Sequence, residues 1–312
     1  MKKQAHHPIC PKCAYDQSGV TATWEFQCPV QGTCPECGLS FAWGDVMNPS
    51  RVRLRWYSEH ASSVLAMVTR SPATLLRLLL PWVFWRNVSV THQIALRRLT
   101  CWVLMMWVAL HAVMAIPFAY YNWKGLDIWL FGSVANAYSA FGIMGILAIL
   151  SNALFSPIVH VVPAKVGLEV TFQGGGLVYL GSTTSDFLGG LFAVLGFSTL
   201  WLVVLLVIPT TRRIAKIRLR HIMRAYILSL LPAIMITEIL RFESAYAMVS
   251  RITPSDMAPL GIISSILWLI VFWACAVRVG WGIRPAWLLI VLGSIAGLLG
   301  MLVFLLVPEI YW

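Results

Sequence analysis

Apolar stretches long enough to cross a bilayer recur through the last two thirds of this chain, at about 99–121, 132–155, 187–209, 222–240, 260–278 and 286–307. A helix needs about 20 apolar residues to cross about 30 Å of hydrocarbon, and in lipid only a helix or a closed barrel satisfies its own backbone. The pattern predicts a mainly α fold, a polytopic bundle of about six transmembrane helices over residues 99–312. Composition agrees, because 59% of the 312 residues are hydrophobic and only 11% are charged, against about 25% charged in a soluble domain. A net charge of +11 would suit nucleic acid in a polar chain. In one this apolar it suits anionic lipid head groups, so the bilayer is the first expected partner. The 15 Trp and 9 Tyr fit the membrane interface. Most prolines stand near span ends, whereas Pro232 falls inside the fourth span and is expected to kink it.

Ahead of the membrane body, Cys10-Pro-Lys-Cys13 and Cys34-Pro-Glu-Cys37-Gly38 form two CxxC pairs separated by 20 residues. Four thiolates at this spacing suit one tetrahedral zinc ion. Residues 1–47 are therefore expected to form a small β-type zinc ribbon with Cys10, Cys13, Cys34 and Cys37 as ligands. Cys28 would break the two-residue spacing and is left out of the ligand set. Gly38 permits a tight turn after the second pair, and Ala14 holds the equivalent place after the first. Such a site carries a formal charge of about minus two, which Lys2, Lys3, His6, His7 and Lys12 would offset. CxxC pairs used as metal ligands belong in a reducing compartment, and Met1 to Pro8 has no apolar core of a signal peptide. The N-terminus is therefore expected in the cytoplasm.

The run Cys10-Pro-Lys-Cys13-Ala14-Tyr15-Asp16, followed by Cys34-Pro-Glu-Cys37-Gly38 and Phe41, resembles the N-terminal zinc ribbon of a group of uncharacterised bacterial multipass membrane proteins. Their heads read roughly C-x-x-C-G-Y-D-L-x-G, then C-P-E-C-G. Here Ala14 replaces Gly, Gln17 replaces Leu and the insertion is longer, so the match covers about a tenth of the chain. The resemblance implies an architecture and a bacterial inner-membrane setting, with no activity attached. In the second half, Arg220-His221-x-x-Arg224-Ala225-Tyr226 leading into a span is similar to Yip-family membrane-shaping proteins, some of which carry zinc-ribbon heads.

Residues 48–98 form a basic collar. Arg51, Arg53 and Arg55 alternate with Val52, Leu54 and Trp56, and the apolar runs at 64–68 and 75–85 are broken by Arg70, Pro72, Arg77 and Pro81. These runs are too short to cross, so helices lying flat at the interface are expected, with Trp82 and Trp85 dipping in; a soluble helical linker is the alternative. Arg97 and Arg98 mark the cytoplasmic edge of the first span.

The densest basic cluster runs from Arg212 to Arg224 and also belongs on the cytoplasmic side. A cytoplasmic head followed by three crossings would put it outside. Either 129–162 folds as two short or re-entrant segments around Gly142 and Gly145, the favoured resolution since that region is long, rich in small residues and broken by Asn136, Asn152 and Pro157, or part of the collar crosses, or charge bias misleads. Further on, Val166 to Phe172 alternates like a strand, and Gly174-Gly175-Gly176 is expected to turn it into a hairpin with 177–180. No Gly-Lys-Ser/Thr ending supports a phosphate loop there.

Ionisable residues inside apolar spans are the remaining candidates. Glu238 is expected to pair with Arg241 at the membrane edge, and His111 to be a hydrogen-bonded packing residue. H-E-x-x-H, G-x-S-x-G and paired intramembrane aspartates are all missing from the sequence, so no enzyme is expected. Three functional readings remain. The first is a docking or membrane-organising scaffold that meets a cytoplasmic protein through the ribbon. The second is a transporter or channel with the ribbon as regulatory head. The third, a membrane-tethered nucleic-acid binder, is disfavoured because Asp16, Glu25 and Glu36 dilute Lys12 on the head.

Overall fold

The computed structural model describes residues 8–126, 159–163, 168–172, 181–208, 215–232, 235, 238 and 257–311. The protein is mainly helical and divides into two compact units. The first comprises Met1–Val103, Thr199–Ser229 and Leu269–Gly297, the second Leu104–Ser198, Leu230–Trp268 and Leu298–Trp312.

The head begins the first unit. It holds the short helix α1 (Ser18–Thr21), strands β1 (Gln31–Thr33) and β2 (Ser40–Ala42), and helix α2 (Trp43–Met47). The strands pair antiparallel with Gly32 opposite Phe41. Phe41, Trp43 and Val46 are buried together with Cys10 and Cys34. The Trp43 ring meets Trp24 and Phe41 edge-on at centroid distances of 4.6 and 5.0 Å. Gly32 lies directly beneath it, where a Cβ would stand 2.5 Å from the indole nitrogen.

In the collar, α3 (Val64–Leu78) starts at Ser63, whose hydroxyl accepts the amide of Ala66, the usual way of satisfying a free helix-start donor. Helix α4 (Pro81–Asn87) follows at a bend of 117°. Met67, Ser71, Thr74 and Leu78 face inward at helical spacing, yet Leu65, Val68, Leu76, Leu79, Leu80 and Trp82 are exposed. A helix apolar on its outer face as well suits contact with lipid. Arg77 lies over the Trp56 ring at 4.6 Å. Trp85 turns inward rather than dipping outward: it is buried against Phe272 and Trp281 and against Gly280, where a Cβ would come within 2.5 Å of its ring.

The long helices are α5 (Leu96–Leu126), α6 (Gly181–Val207), α7 (Leu219–Ser229), α8 (Met257–Cys275), which closes in a π-helical turn Ala276–Gly280, and α9 (Ala286–Tyr311). Among the described residues, Leu96–Pro117, Ile263–Gly280 and Ala286–Val303 are long and apolar enough to cross a membrane. The bent α3–α4 pair would make a fourth, and Phe192–Val207 is a shorter apolar helix. These are the helices of a membrane protein. Their outer faces carry Val108, Ile116, Leu267, Val271, Ile295 and Leu299, a surface that water would not tolerate and lipid does. The expected second span, 132–155, lies outside the described residues, and α7 closes at Ser229, ahead of Pro232. Within the first unit, Trp201 of α6 stacks on Trp273 of α8 at 5.3 Å and lies over Gly293 of α9.

A hairpin forms close to where alternation predicted one, through an upstream strand. Strand β4 (Leu168–Phe172) pairs antiparallel with the upstream β3 (Val159–Pro163), Val170 opposite Val161. The β-branched run Val159, Val161, Val162 suits a strand; the expected turn at 174–176 and its partner 177–180 lie outside the described residues.

One turn ties the first unit together. Ser58–His60 is a 3-10 turn whose three residues are all buried. Ser58 meets Thr74, its amide donating at 3.1 Å. Glu59 accepts the Ala95 amide at the start of α5, 2.6 Å, and pairs with the buried Arg224 of α7, Nε to Oε2 2.9 Å. Arg224 also donates to the Gln93 carbonyl at 2.6 Å. His60 Nδ1 accepts the Leu54 amide at 2.9 Å, so Nε2 carries the proton and donates to the Gln93 carbonyl at 3.0 Å. Trp102 of α5 donates to Ser71 of α3 at 2.9 Å.

Removing one partner of a buried ion pair leaves the other uncompensated, at about 3–5 kcal/mol. Arg224→Met is expected to destabilise the protein by about that much, and adding Glu59→Gln to recover part of the loss; denaturant unfolding in detergent measures both. Acid is expected to act on the same region. Burial, then the neighbouring His60 ring and Arg224, bring His92 down to about 4, with Glu59 opposing, and burial also lowers His60. Each imidazole titrates near about 6.5 in the unfolded chain. The unfolded state therefore binds more protons as pH falls from about 6.5 towards about 4, and stability present above that window is lost within it. Unfolding midpoints across this range should fall with acid, and His92→Asn should flatten the slope.

Candidate metal centre

The four expected ligands come together. The sulfurs of Cys10, Cys13, Cys34 and Cys37 all lie within 4.8 Å of one another, with Cys10 to Cys37 at 3.7 Å and Cys13 to Cys34 at 3.6 Å. A tetrahedral ion with metal–sulfur bonds of about 2.3 Å needs sulfurs about 3.8 Å apart, so the cluster has the dimensions of a four-thiolate metal site. Cys28 is exposed and outside it.

Two copies of one local structure build the cluster. The Cys10 amide donates to the Tyr15 carbonyl at 2.9 Å, and the Cys34 amide to the Leu39 carbonyl at 2.9 Å. The Ala14 amide returns to the Cys10 carbonyl, and the Gly38 amide to the Cys34 carbonyl. Both turns require a left-handed residue, with φ of 72° at Ala14 and 65° at Gly38. Glycine adopts that conformation freely, whereas an alanine there is strained by about 1–2 kcal/mol. The difference between the two knuckles anticipated from sequence is therefore a difference in strain, with the same fold on both sides.

Electrostatics prepares the thiols unevenly. Burial pushes Cys10 above its ordinary range and Cys37 up to about 11. At Cys34 burial works in the same direction, but the amides of Cys37 and Glu36 outweigh it and the thiol falls to about 7. A bound cation takes thiolates, so loading this site releases protons.

The cations nearest the cluster are distant in sequence. Lys216 bonds the Glu36 carboxylate and its carbonyl, the latter at 2.7 Å. Arg218 donates through its side chain to the Cys10 carbonyl and through its amide to the Lys12 carbonyl at 3.2 Å. His221 Nε2 donates to the Pro11 carbonyl at 3.0 Å, and burial followed by the nearby Arg224 lowers this ring to about 3, so it stays neutral. Lys216 itself has a φ of 51°, strain held by its two bonds to Glu36. The segment 215–221 thus grips the knuckle Cys10–Cys13 by three successive carbonyls. Of the cations expected to balance the site, Lys2, Lys3, His6 and His7 lie outside the described residues.

In the second unit, Glu238 pairs with His111 of α5, Oε1 to Nδ1 2.6 Å. The expected partner Arg241 lies outside the described residues. His111 is thus hydrogen-bonded, as expected, to a carboxylate that spacing along the chain could not reveal.

No family model, curated protein or solved structure matches this chain.

Relief of strain makes Ala14→Gly a stabilising change, expected at about 0.5–1 kcal/mol after the entropy of the extra glycine is subtracted; thermal unfolding of the metal-loaded protein reads it. Cys34→Ser should lose the bound metal and the ordered head together. Metal content unchanged in that variant would remove the assignment.

Proposed function

We propose that the protein is an integral membrane scaffold of a bacterial inner membrane, with a cytoplasmic head in which one structural zinc ion organises the membrane domain's cytoplasmic face. The contact of Lys216, Arg218 and His221 with the first knuckle carries this reading. Zinc suits the four-thiolate set because it is redox-inert and tetrahedral. Cys10, Cys13, Cys34 and Cys37 would hold it, and the acceptors offered to Arg218 and His221 are the carbonyls of the loop it fixes. A ribbon seated in this way serves the assembly first, and a cytoplasmic protein partner would meet head and basic segment as one surface.

The same contact bears on topology. Residues 215–221 rest on the head, which supports one side for both and, with it, an even number of crossings between Arg98 and Lys216. That is the outcome charge bias favours for the two basic regions. It leaves 127–180 to supply an even number of crossings if α5 and α6 cross once each. Relationship to zinc-ribbon-headed bacterial membrane proteins or to the Yip family is proposed on the motifs alone.

A second reading, a proton-coupled transporter, draws on the His111–Glu238 pair in a helix apolar enough to cross. In proteoliposomes with an internal pH dye, that reading requires a flux lost in Glu238→Gln; equal traces for the two proteins remove it.

For the scaffold, reporter fusions after Trp43 and in the Arg212–Arg220 loop should give cytoplasmic signals from both. Chelation of zinc should then make that loop newly sensitive to protease. Signals from opposite sides, or a loop equally protected without zinc, would overturn it.

A further inference from the structure

In the first unit a cavity of about 420 Å³ opens between the collar and the start of α5, within the size range of small-ligand sites, about 300–1,000 Å³. Four arginines line it, Arg53, Arg97, Arg98 and Arg220, together with Glu59 and Gln93. Glu59 is the one carboxylate among the lining residues, and it is already committed to Arg224 and to the Ala95 amide. His60, also in the wall, is held neutral by accepting at Nδ1 and donating at Nε2. Among the described residues none of the four arginines forms an ion pair; Arg98 donates to the Ala61 carbonyl at 3.0 Å. Four like charges around one cavity repel one another, and an anion between them turns that repulsion into attraction.

The shape of the donors narrows the anion. Guanidinium groups present paired N–H donors that match the oxygens of a phosphate. Arg97 and Arg98 stand in the first turn of α5, at the positive end of its dipole. The position adds to this, because Leu96 begins a segment able to cross the membrane and Ile94 and Leu96 add apolar surface to the wall. A cavity at the end of a span stands at the level of phospholipid head groups.

We propose that this cavity binds a phosphate ester, gripped by Arg97 and Arg220 with Arg53 and Arg98 around it. The phosphate is carried either by an anionic phospholipid or by a small soluble ester. The scaffold reading enters only through the choice between these sources, and the anion site stands on the cavity itself.

The test uses the purified full-length protein in a maltoside detergent. Short-chain phosphatidylglycerol, glycerol 3-phosphate and inorganic phosphate are each titrated while the thermal unfolding midpoint is followed. A ligand that binds the folded state raises the midpoint saturably. Arg97→Gln/Arg220→Gln should weaken binding at least about tenfold, because one charge-assisted contact is worth about that factor. Arg97→Lys/Arg220→Lys, which keeps the charges, should retain most of it, and Arg86→Gln, at an exposed position of α4 outside the cavity wall, should leave it unchanged. Saturation by phosphatidylglycerol alone assigns the site to lipid, and equal saturation by glycerol 3-phosphate assigns it to a soluble ester. The proposal is overturned if no phosphate compound shifts the midpoint saturably. It is overturned equally if Arg86→Gln weakens the response as much as the double glutamine variant, since that would be diffuse surface charge. Detergent titration is indifferent to orientation, so reporter results that sink the scaffold leave this outcome readable.

Discussion

A carboxylate and a guanidinium, both out of water, decide how the first unit can be assembled. Glu59 and Arg224 have 0% and 1% of their surfaces exposed, and neither could remain there without the other. Their partners come from different parts of the chain. Glu59 sits in the collar turn and caps α5 at Ala95, while Arg224 belongs to α7 and bonds the carbonyl of Gln93. A pair with so many fixed partners has one geometry. It therefore registers the collar, the start of α5 and α7 against one another with a selectivity that exposed leucines lack. Whether such a pair adds net stability is secondary to this role, since a well-packed apolar replacement would often serve stability as well.

The head relies on a different device for a related reason. Few residues of so short a segment can be buried, and Phe41, Trp43 and Val46 make a small core of the kind that needs a metal or a disulfide to persist. A metal held by the four cysteines would fix the two CxxC loops and, with them, the direction of the Cys10, Pro11 and Lys12 carbonyls. Those carbonyls are what Arg218 and His221 bind. Order in the head and attachment of the head are thus one event, and α7, which begins immediately after Arg218, carries both His221 to the knuckle and Arg224 to Glu59.

The four thiols were legible in the sequence because ligand spacing within each loop is local and repeats. The contrast of Gly38 with Ala14 was legible for the same reason. Membrane character was legible from long apolar runs, whereas the 117° bend that would let α3 and α4 together make one span was not. What escaped was everything set by distance along the chain. Glu59 is the one acidic residue between Asp45 and Asp127, a signal that could have marked it, but nothing local names Arg224 as its partner. Lys216 and Arg218 read as part of a positive-inside cluster, which hides the fact that they are bonded to the head. His111 and Glu238 lie on segments whose own spacing favours neighbours three or four residues away, so a pairing across 127 residues has no sequence trace.

The basic residues of this chain therefore divide by what neutralises them. Lys216 has Glu36, Arg224 has Glu59, and Arg218 faces the carbonyls beside the thiol cluster. Arg53, Arg97, Arg98 and Arg220 have no carboxylate partner among the described residues, and Arg98 has only the Ala61 carbonyl, yet they converge on one cavity. Positive charge gathered merely to orient a membrane protein need only be on the correct side, and mutual repulsion would spread it over the available surface. Convergence works against that repulsion and is sustained here by rigid elements: the Ser58–His60 turn, the amino end of α5 and the first residues of α7, all locked by the Glu59–Arg224 pair. The pair that registers the unit thus also holds the arginines together. Orientation by charge and recognition of a charged ligand are separable properties of the same residues, and only the second depends on where Glu59 and Arg224 meet.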